Sequence, residues 1–292
     1  MKEKLNLYQI LRTILLALLS AFAILPFALL FIASLTKESF IMQNGYSYFP
    51  KEWSFSAYEY LIANGAQIFR AYGISIIITV AGTCLGLALT LLFAYPLSKP
   101  DMPGRRFFNF MVFFTILFSG GLVPSYTMWT TVFHMKNSIL ALLIPGLLMR
   151  GFYVILAKSY FQASIPGEIY ESARIDGASE VTVFSRIAIP LAKPIIATLV
   201  LFIGLDYWND WNNGLIYLTN AKLYSIQNVL NQMIQTITFL SQNAGQVSVT
   251  GNIPSNAVRM AIAVVGTLPV LIAYPFLQKW FVKGIVMGGV KG

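Results

Sequence analysis

Between Asp206 and Asn213 the chain reads Asp-Tyr-Trp-Asn-Asp-Trp-Asn-Asn, a set of residue types that could hold a hydroxylated ligand. Carboxylates and amides hydrogen-bond to sugar hydroxyls, and indole faces cover the apolar C–H faces of a sugar ring. Asp206, Trp208, Asn209, Asp210, Trp211 and Asn212 are therefore a candidate substrate-lining set. Arg150 either joins that path by pairing with a carboxylate or snorkels from a helix end. Tryptophan is also enriched at membrane interfaces, so anchoring or packing against a partner subunit fits the same residues. From another functional class, Asp206 and Asp210 could be the acid and base of a membrane enzyme acting on lipid-linked sugar.

A second polar island lies upstream. Pro166 and Gly167 break the chain, and Glu168, Glu171, Arg174 and Ile175 follow at helical spacing, which puts them on one face. Glu168 and Glu171 fall in the first turn, where acidic groups suit the helix dipole. Gly177, just after Asp176, suits the left-handed residue that ends a helix. Ala173 and Ala178 keep a low profile for close contact, and Glu180 to Arg186 lead to Ile189, Pro190, Lys193 and Pro194. The expected product is a short protruding helical knob, although a plain surface helix has the same amphipathicity.

Little else could do chemistry. There is no G-x-x-x-x-G-K-[ST] phosphate loop, so ATP is not bound here by that means. His134 is the one histidine and Cys84 the one cysteine. A histidine-built metal site, a Ser-His-Asp triad or an internal disulfide has too few members. No catalytic residue, metal or cofactor is assigned.

The elements that position these islands are membrane helices. With 57% hydrophobic residues, 11% charged and a mean hydropathy of +0.69, the chain is far more apolar than a soluble domain. Apolar windows long enough to cross about 30 Å of hydrocarbon predict six helices, near 12–36, 71–98, 107–133, 138–160, 187–211 and 258–281, in a single membrane domain over 1–292. The first follows Lys2, Lys4 and Arg12 like a signal peptide, but its length and Pro26 favour a retained helix. Prolines 26, 96, 124, 145 and 269 predict kinks.

Charge sets the expected orientation. With the N-terminus inside, the cytoplasmic side takes Lys2, Lys4, Arg12, Lys99, Arg105, Arg106, Lys158, Arg174, Arg186, Lys193, Lys279, Lys283 and Lys291. The other side takes Lys37, Lys51, Arg70, Lys136, Lys222 and Arg259. Both termini are then cytoplasmic, the polar island lies on a cytoplasmic loop at about 164–190, and the segments 37–70 and 215–259 form external caps. The net charge of +9 reads as topology; its scatter over separate loops argues against nucleic-acid binding.

The polar island resembles the cytoplasmic EAA signature of permease subunits in binding-protein-dependent ABC importers: Glu-Ala-Ala, three residues, Gly, nine residues, Ile, any residue, Leu-Pro. Glu171, Ala173, Gly177, Ile187 and Pro190 match it, while Ser172 and Ile189 replace its Ala and Leu. The six-helix layout, Trp208 to Asn212 and the ending Gly288, Gly289, Val290, Lys291 and Gly292 look like the carbohydrate-uptake branch. Within it, the chain is similar to the second permease of maltose-type importers and to complex-oligosaccharide permeases of Gram-positive bacteria.

The resemblance implies an all-α, type I importer permease in a bacterial cell membrane that moves an oligosaccharide inward by alternating access. Its implied partners are a homologous second permease, two ATP-binding subunits and an extracytoplasmic solute-binding protein, with ATP and Mg held by the ATPases and lipid around the helices. Residues Glu168 to Asp176 would be the coupling helix. Glu171 would make a polar contact with the ATPase, and Gly177 the turn that seats the knob. The tail Gly288 to Gly292 would reach between the ATPases, unless it is a frayed terminus. The EAA segment concerns coupling and not cargo, so a peptide, amino acid or ion remains an alternative solute.

Overall fold

In the computed structural model, residues 7–63, 65–242 and 255–288 are described. In chain order the helices are α1 (Leu7–Ser34), α2 (Glu38–Asn44), α3 (Ser56–Ala63), α4 (Gly65–Ser98), α5 (Arg105–Leu117), α6 (Leu122–Thr127), α7 (Leu140–Leu143) and α8 (Gly151–Ser164). They continue as α9 (Gly167–Ile175), α10 (Glu180–Val183), α11 (Ile189–Leu191), α12 (Lys193–Asn209), α13 (Asn212–Tyr217), α14 (Ile226–Gln242) and α15 (Ser255–Gly288). Among the described residues the strand-like pairing is an isolated bridge, Thr36 to Trp53. The protein is an all-α membrane protein.

Among the described residues two helices, Leu11–Ser34 and Gly65–Ser98, are each long and apolar enough to cross a bilayer unaided. The other expected spans are built differently. The stretch 107–133 is not one straight helix: α5 and the segment Leu122–Val132 meet at 114°. Gly121, at φ +85°, makes a turn that a side chain would strain, and Pro124 sits in the first turn of α6, where no intrahelical partner is lost. The stretch 138–160 is interrupted after α7 by Pro145 and by Gly146 at φ +70°. The stretch 187–211 is part of a pair, Glu180–Leu191 and Lys193–Asn209, bent by 80° around Ala192, with Pro194 at the start of α12. The last helix carries a shorter apolar segment, Asn256–Ile272.

The chain divides into two compact units: Met1–Ile68 with Leu230–Pro269, and Phe69–Val229 with Val270–Gly292. In the first, Lys37 N–H donates to the Glu52 carbonyl at 3.1 Å, and Ser54 N–H to that of Leu35 at 2.8 Å, which ties the end of α1 to the following loop. The Ser34 and Tyr58 hydroxyls meet at 2.8 Å, and Lys37 pairs with Glu52 at 2.8 Å. The two expected caps are linked as well, because the Glu38 carboxylate accepts from Asn256 N–H at 3.0 Å and Ala257 N–H at 3.0 Å.

The second unit is built on α4, α8 and α12. Leu91, Ala94 and Leu97 of α4, Val154, Ala157 and Phe161 of α8, and Leu199 and Ile203 of α12 are buried in one core. Lipid is as apolar as leucine, so close packing must hold such helices, and small residues make it possible. Ala94, Ala157, Ala188 and Ala192 are fully buried. Gly151 does the same for α8 and α5: a Cβ there would lie 2.8 Å from the Val112 carbonyl.

Candidate functional site

The segment at 164–190, expected to couple to an ATPase, grows out of this core and is not a free loop. Phe161 and Ile165 bury the end of α8, and Tyr170 and Ala173 bury the inner face of α9 in the same cluster. The outer face carries Glu168, Glu171, Arg174 and Ile175, all exposed, with Ile175 85% exposed. Ala173 is thus inward, at 8% exposure. Its methyl group is what lets α9 lie close to the core.

The end of α9 is defined by backbone chemistry. Asp176 caps the helix and Gly177 follows at φ +79°. Ala178 N–H donates to the Ala173 carbonyl at 2.9 Å, and Gly177 N–H to that of Arg174 at 3.0 Å. This is a Schellman ending, which requires the left-handed residue that glycine supplies. Ser179 then caps α10, its hydroxyl accepting from Thr182 N–H at 3.3 Å. Ile187 is half-buried against the core, and Pro190 is exposed at the start of α11.

Arg174 is held within the chain. Its guanidinium bonds Glu180 through Nε and Nη2, each at 2.7 Å, and reaches Asp101 at 3.6 Å. The hydrogen bond to Glu180 raises the Arg174 pKa further above its ordinary value, assisted by the charges of Glu180 and Asp101. Glu168 and Glu171 make no ion pair among the described residues, so their carboxylates are available for a partner.

At the other candidate site the expected residues separate into two groups. Arg150 Nη1 pairs with Asp206 Oδ2 at 2.8 Å, and the Tyr153 hydroxyl donates to the same oxygen at 2.6 Å. Both partners stay partly exposed, so the group faces an accessible surface. Asp210 instead caps α12, and its Oδ1 accepts from Asn213 N–H at 3.3 Å. Trp208 is 7% exposed and lies 6.2 Å from the Tyr72 ring. Asn209, Trp211 and Asn212 are exposed; the Trp211 carbonyl accepts from Asn228 Nδ2 at 2.6 Å.

Tyr207 places this group. Its ring occupies the space a Cβ on Gly82 would take, and its hydroxyl donates to the Leu143 carbonyl at 2.7 Å. The two aspartates serve different partners, one an arginine and a tyrosine, the other a helix end, which disfavours the acid–base pair weighed above. Among the described residues no three His, Cys, Asp or Glu side chains cluster as metal ligands. His134 is exposed at φ +52°, and Cys84 is free.

Sequence reasoning missed Tyr153, Tyr95, Lys99, Tyr170 and Glu180. Two local signals were present: Tyr153 lies three residues after Arg150, and Lys99 four after Tyr95, both same-face helical spacings. Of the tail, Gly288 ends α15, and Gly289, Val290, Lys291 and Gly292 lie outside the described residues.

Known proteins with similar sequences and folds agree with this architecture. Residues 86–287 match the family model described as binding-protein-dependent transport system inner membrane component. The chain is 38% identical over 272 residues to the Bacillus subtilis protein LplC, covering 93% of this chain and 90% of the relative. It is 34% identical over 269 residues to the polygalacturonan/rhamnogalacturonan transport system permease protein YtcP of Bacillus subtilis, covering 92% and 93%. A chain in the crystal structure of a bacterial ABC transporter that imports the acidic polysaccharide alginate superposes with a TM-score of 0.78 at 29% identity, over 94% of this chain and 96% of that one. The match over most of the chain means that this protein belongs to the family of inner membrane components of binding-protein-dependent transport systems.

Proposed function

We propose that the chain is the permease subunit of an ATP-driven importer that carries an oligosaccharide into the cytoplasm by alternating access. The observation that carries this reading is α9: its inner face is part of the core, its end is fixed by Gly177, and its outer face presents exposed Glu168 and Glu171 beside an exposed Ile175. A rigid helix with a mixed acidic and apolar face suits a groove in a soluble ATPase, which would bind ATP and Mg. Both termini and α9 then lie on the cytoplasmic side, consistent with the bias of Lys and Arg. A homologous second permease, two ATPase subunits and an external solute-binding protein complete the assembly.

The sugar cargo is supported by relatives named for oligosaccharide or polysaccharide transport, among them arabinooligosaccharides and melibiose, raffinose and stachyose. Within the chain, Arg150 and Asp206, both partly exposed, offer the charged contacts that a glycan's hydroxyls can meet.

Replacing Gly177 by valine tests the coupling role, because a β-branched residue resists φ near +79°. In the assembled importer reconstituted in vesicles, Gly177→Val should abolish uptake of a labelled oligosaccharide per ATP hydrolysed while the subunits still copurify. Coupled uptake at the wild-type level would overturn the role of α9. ATP-driven uptake of amino acids or peptides in place of glycans would overturn the cargo.

A further inference from the structure

Lys99 follows directly on α4 and does not point into solvent. Its Nζ is buried without a hydrogen-bond acceptor among the described residues. It lies 2.8 Å from the centroid of the Tyr170 ring and 4.7 Å from that of Tyr95. Tyr170 belongs to the inner face of α9 and Tyr95 to the last turn of α4, so the ammonium is held between the two helices by aromatic faces. A Lys ammonium over an aromatic ring is attracted by its quadrupole, more strongly when desolvated.

The surroundings fit the same purpose. Tyr95 and Tyr170 pack edge to face with centroids 6.2 Å apart, and the Tyr95 hydroxyl donates to Glu180 Oε2 at 3.3 Å. Arg174 spans from Glu180 to Asp101. Tyr95, Lys99, Asp101, Arg174 and Glu180 line a cavity of about 490 Å³ together with Leu92, Pro96 and Phe184.

We infer that Lys99, seated between Tyr95 and Tyr170, is the positioning residue that locks the coupling helix α9 to the end of the membrane helix α4, so that movement of one becomes movement of the other. This rests on the reading of α9 as the coupling helix. A lysine is suited to the task because its charge acts on a ring face over a range of angles, whereas a hydrogen bond demands alignment. The lock can therefore tolerate rocking without releasing.

The groups facing Lys99 are Tyr95 of α4, Asp101 of the following turn, Tyr170 and Arg174 of α9, and Glu180 of α10. Burial lowers the Lys99 ammonium to about 8, with Glu180 and Asp101 opposing the shift and Arg174 adding to it. Burial pushes the Tyr170 hydroxyl up to about 12, so that ring stays neutral. The cation contact exists only in the protonated form, so it is held at pH 7 and lost as the pH rises through about 8.

The test is the ratio of labelled oligosaccharide taken up to ATP hydrolysed by the assembled importer in vesicles, from pH 7 to pH 9. The wild-type ratio should fall across this range and that of Lys99→Arg, which stays charged, should not. Lys99→Met should lower the ratio at pH 7 by roughly threefold or more, as loss of one desolvated cation–ring contact allows. Tyr170→Phe should retain coupling and Tyr170→Leu lose it, because the ring and not the hydroxyl carries the contact. A wild-type ratio that is flat with pH, or a Tyr170→Leu importer coupled like wild type, overturns the inference, and neither measurement depends on how Lys99→Met folds. If Gly177→Val uncouples while the Lys99 and Tyr170 variants do not, only the lock fails; if Gly177→Val also stays coupled, the reading of α9 fails.

Discussion

Asp206 shows how a single side chain can be read correctly as polar and still be misplaced in role. As one of two aspartates four residues apart it looks like half of an acid–base pair, but it is spoken for by Arg150 and by Tyr153. Asp206→Ala would leave a guanidinium and a hydroxyl without their acceptor, at a cost of about 1 to 3 kcal/mol for a half-exposed, hydrogen-bonded pair. Asp206→Asn should cost less, since an amide oxygen still accepts from Tyr153. Denaturation of the detergent-solubilised protein measures both. In a double-mutant cycle, Arg150→Ala combined with Asp206→Ala should cost less than the sum of the single changes; strict additivity would mean that the pair contributes nothing. Tyr153 joins Asp206 from 53 residues away, and only the register of α8 against α12 makes that pair, which no local spacing encodes.

Helices were the most legible part of the chain, and their interruptions the least. Apolar windows locate α1 and α4 because a bilayer demands length and apolarity together. Gly121, Gly146 and the prolines near them also announce that something breaks. The angle does not follow from them: 114° after α5 and 80° before α12 are set by what each half packs on. Gly151 makes the point, because its role is an approach of α8 to α5 that appears only once the two helices meet. A Cβ at Gly151 would crowd the Val112 carbonyl at 2.8 Å and Ile116 Cγ1 at 2.9 Å. Gly151→Val should therefore destabilise the second unit by about 1 to 3 kcal/mol through overpacking, read as a lower midpoint of thermal unfolding in detergent. Gly167→Ala, where a Cβ meets nothing within 4 Å, is the control and should leave the midpoint in place.

At the scale of the molecule, the most apolar stretch of α1 buries none of its residues within the chain, so the contacts that hold the first unit must come from elsewhere. They come from buried apolar residues such as Ile41, Leu61, Ile237, Val258 and Ile262 and from polar residues at the rim, among which Glu38 is central. Its carboxylate accepts from Asn256 N–H, Asn256 Nδ2 and Ala257 N–H, at 2.8 to 3.1 Å. Those backbone donors belong to the first turn of α15, where intrahelical acceptors are missing and a negative charge suits the dipole. Glu38 thus does across 218 residues of sequence what an N-cap side chain does locally, which is why a reading by local spacing assigned it only to an external loop. Glu38→Ala should cost about 1 to 2 kcal/mol, the range for losing a helix cap, and Glu38→Gln roughly half of that because an uncharged oxygen remains. Hydrogen exchange should show the loss as faster exchange at Asn256 and Ala257, with the amides of α8 unaffected. Equal protection of Asn256 in wild type and Glu38→Ala would mean that α15 is started by its own sequence, and that the two long polar segments are neighbours without being a joint.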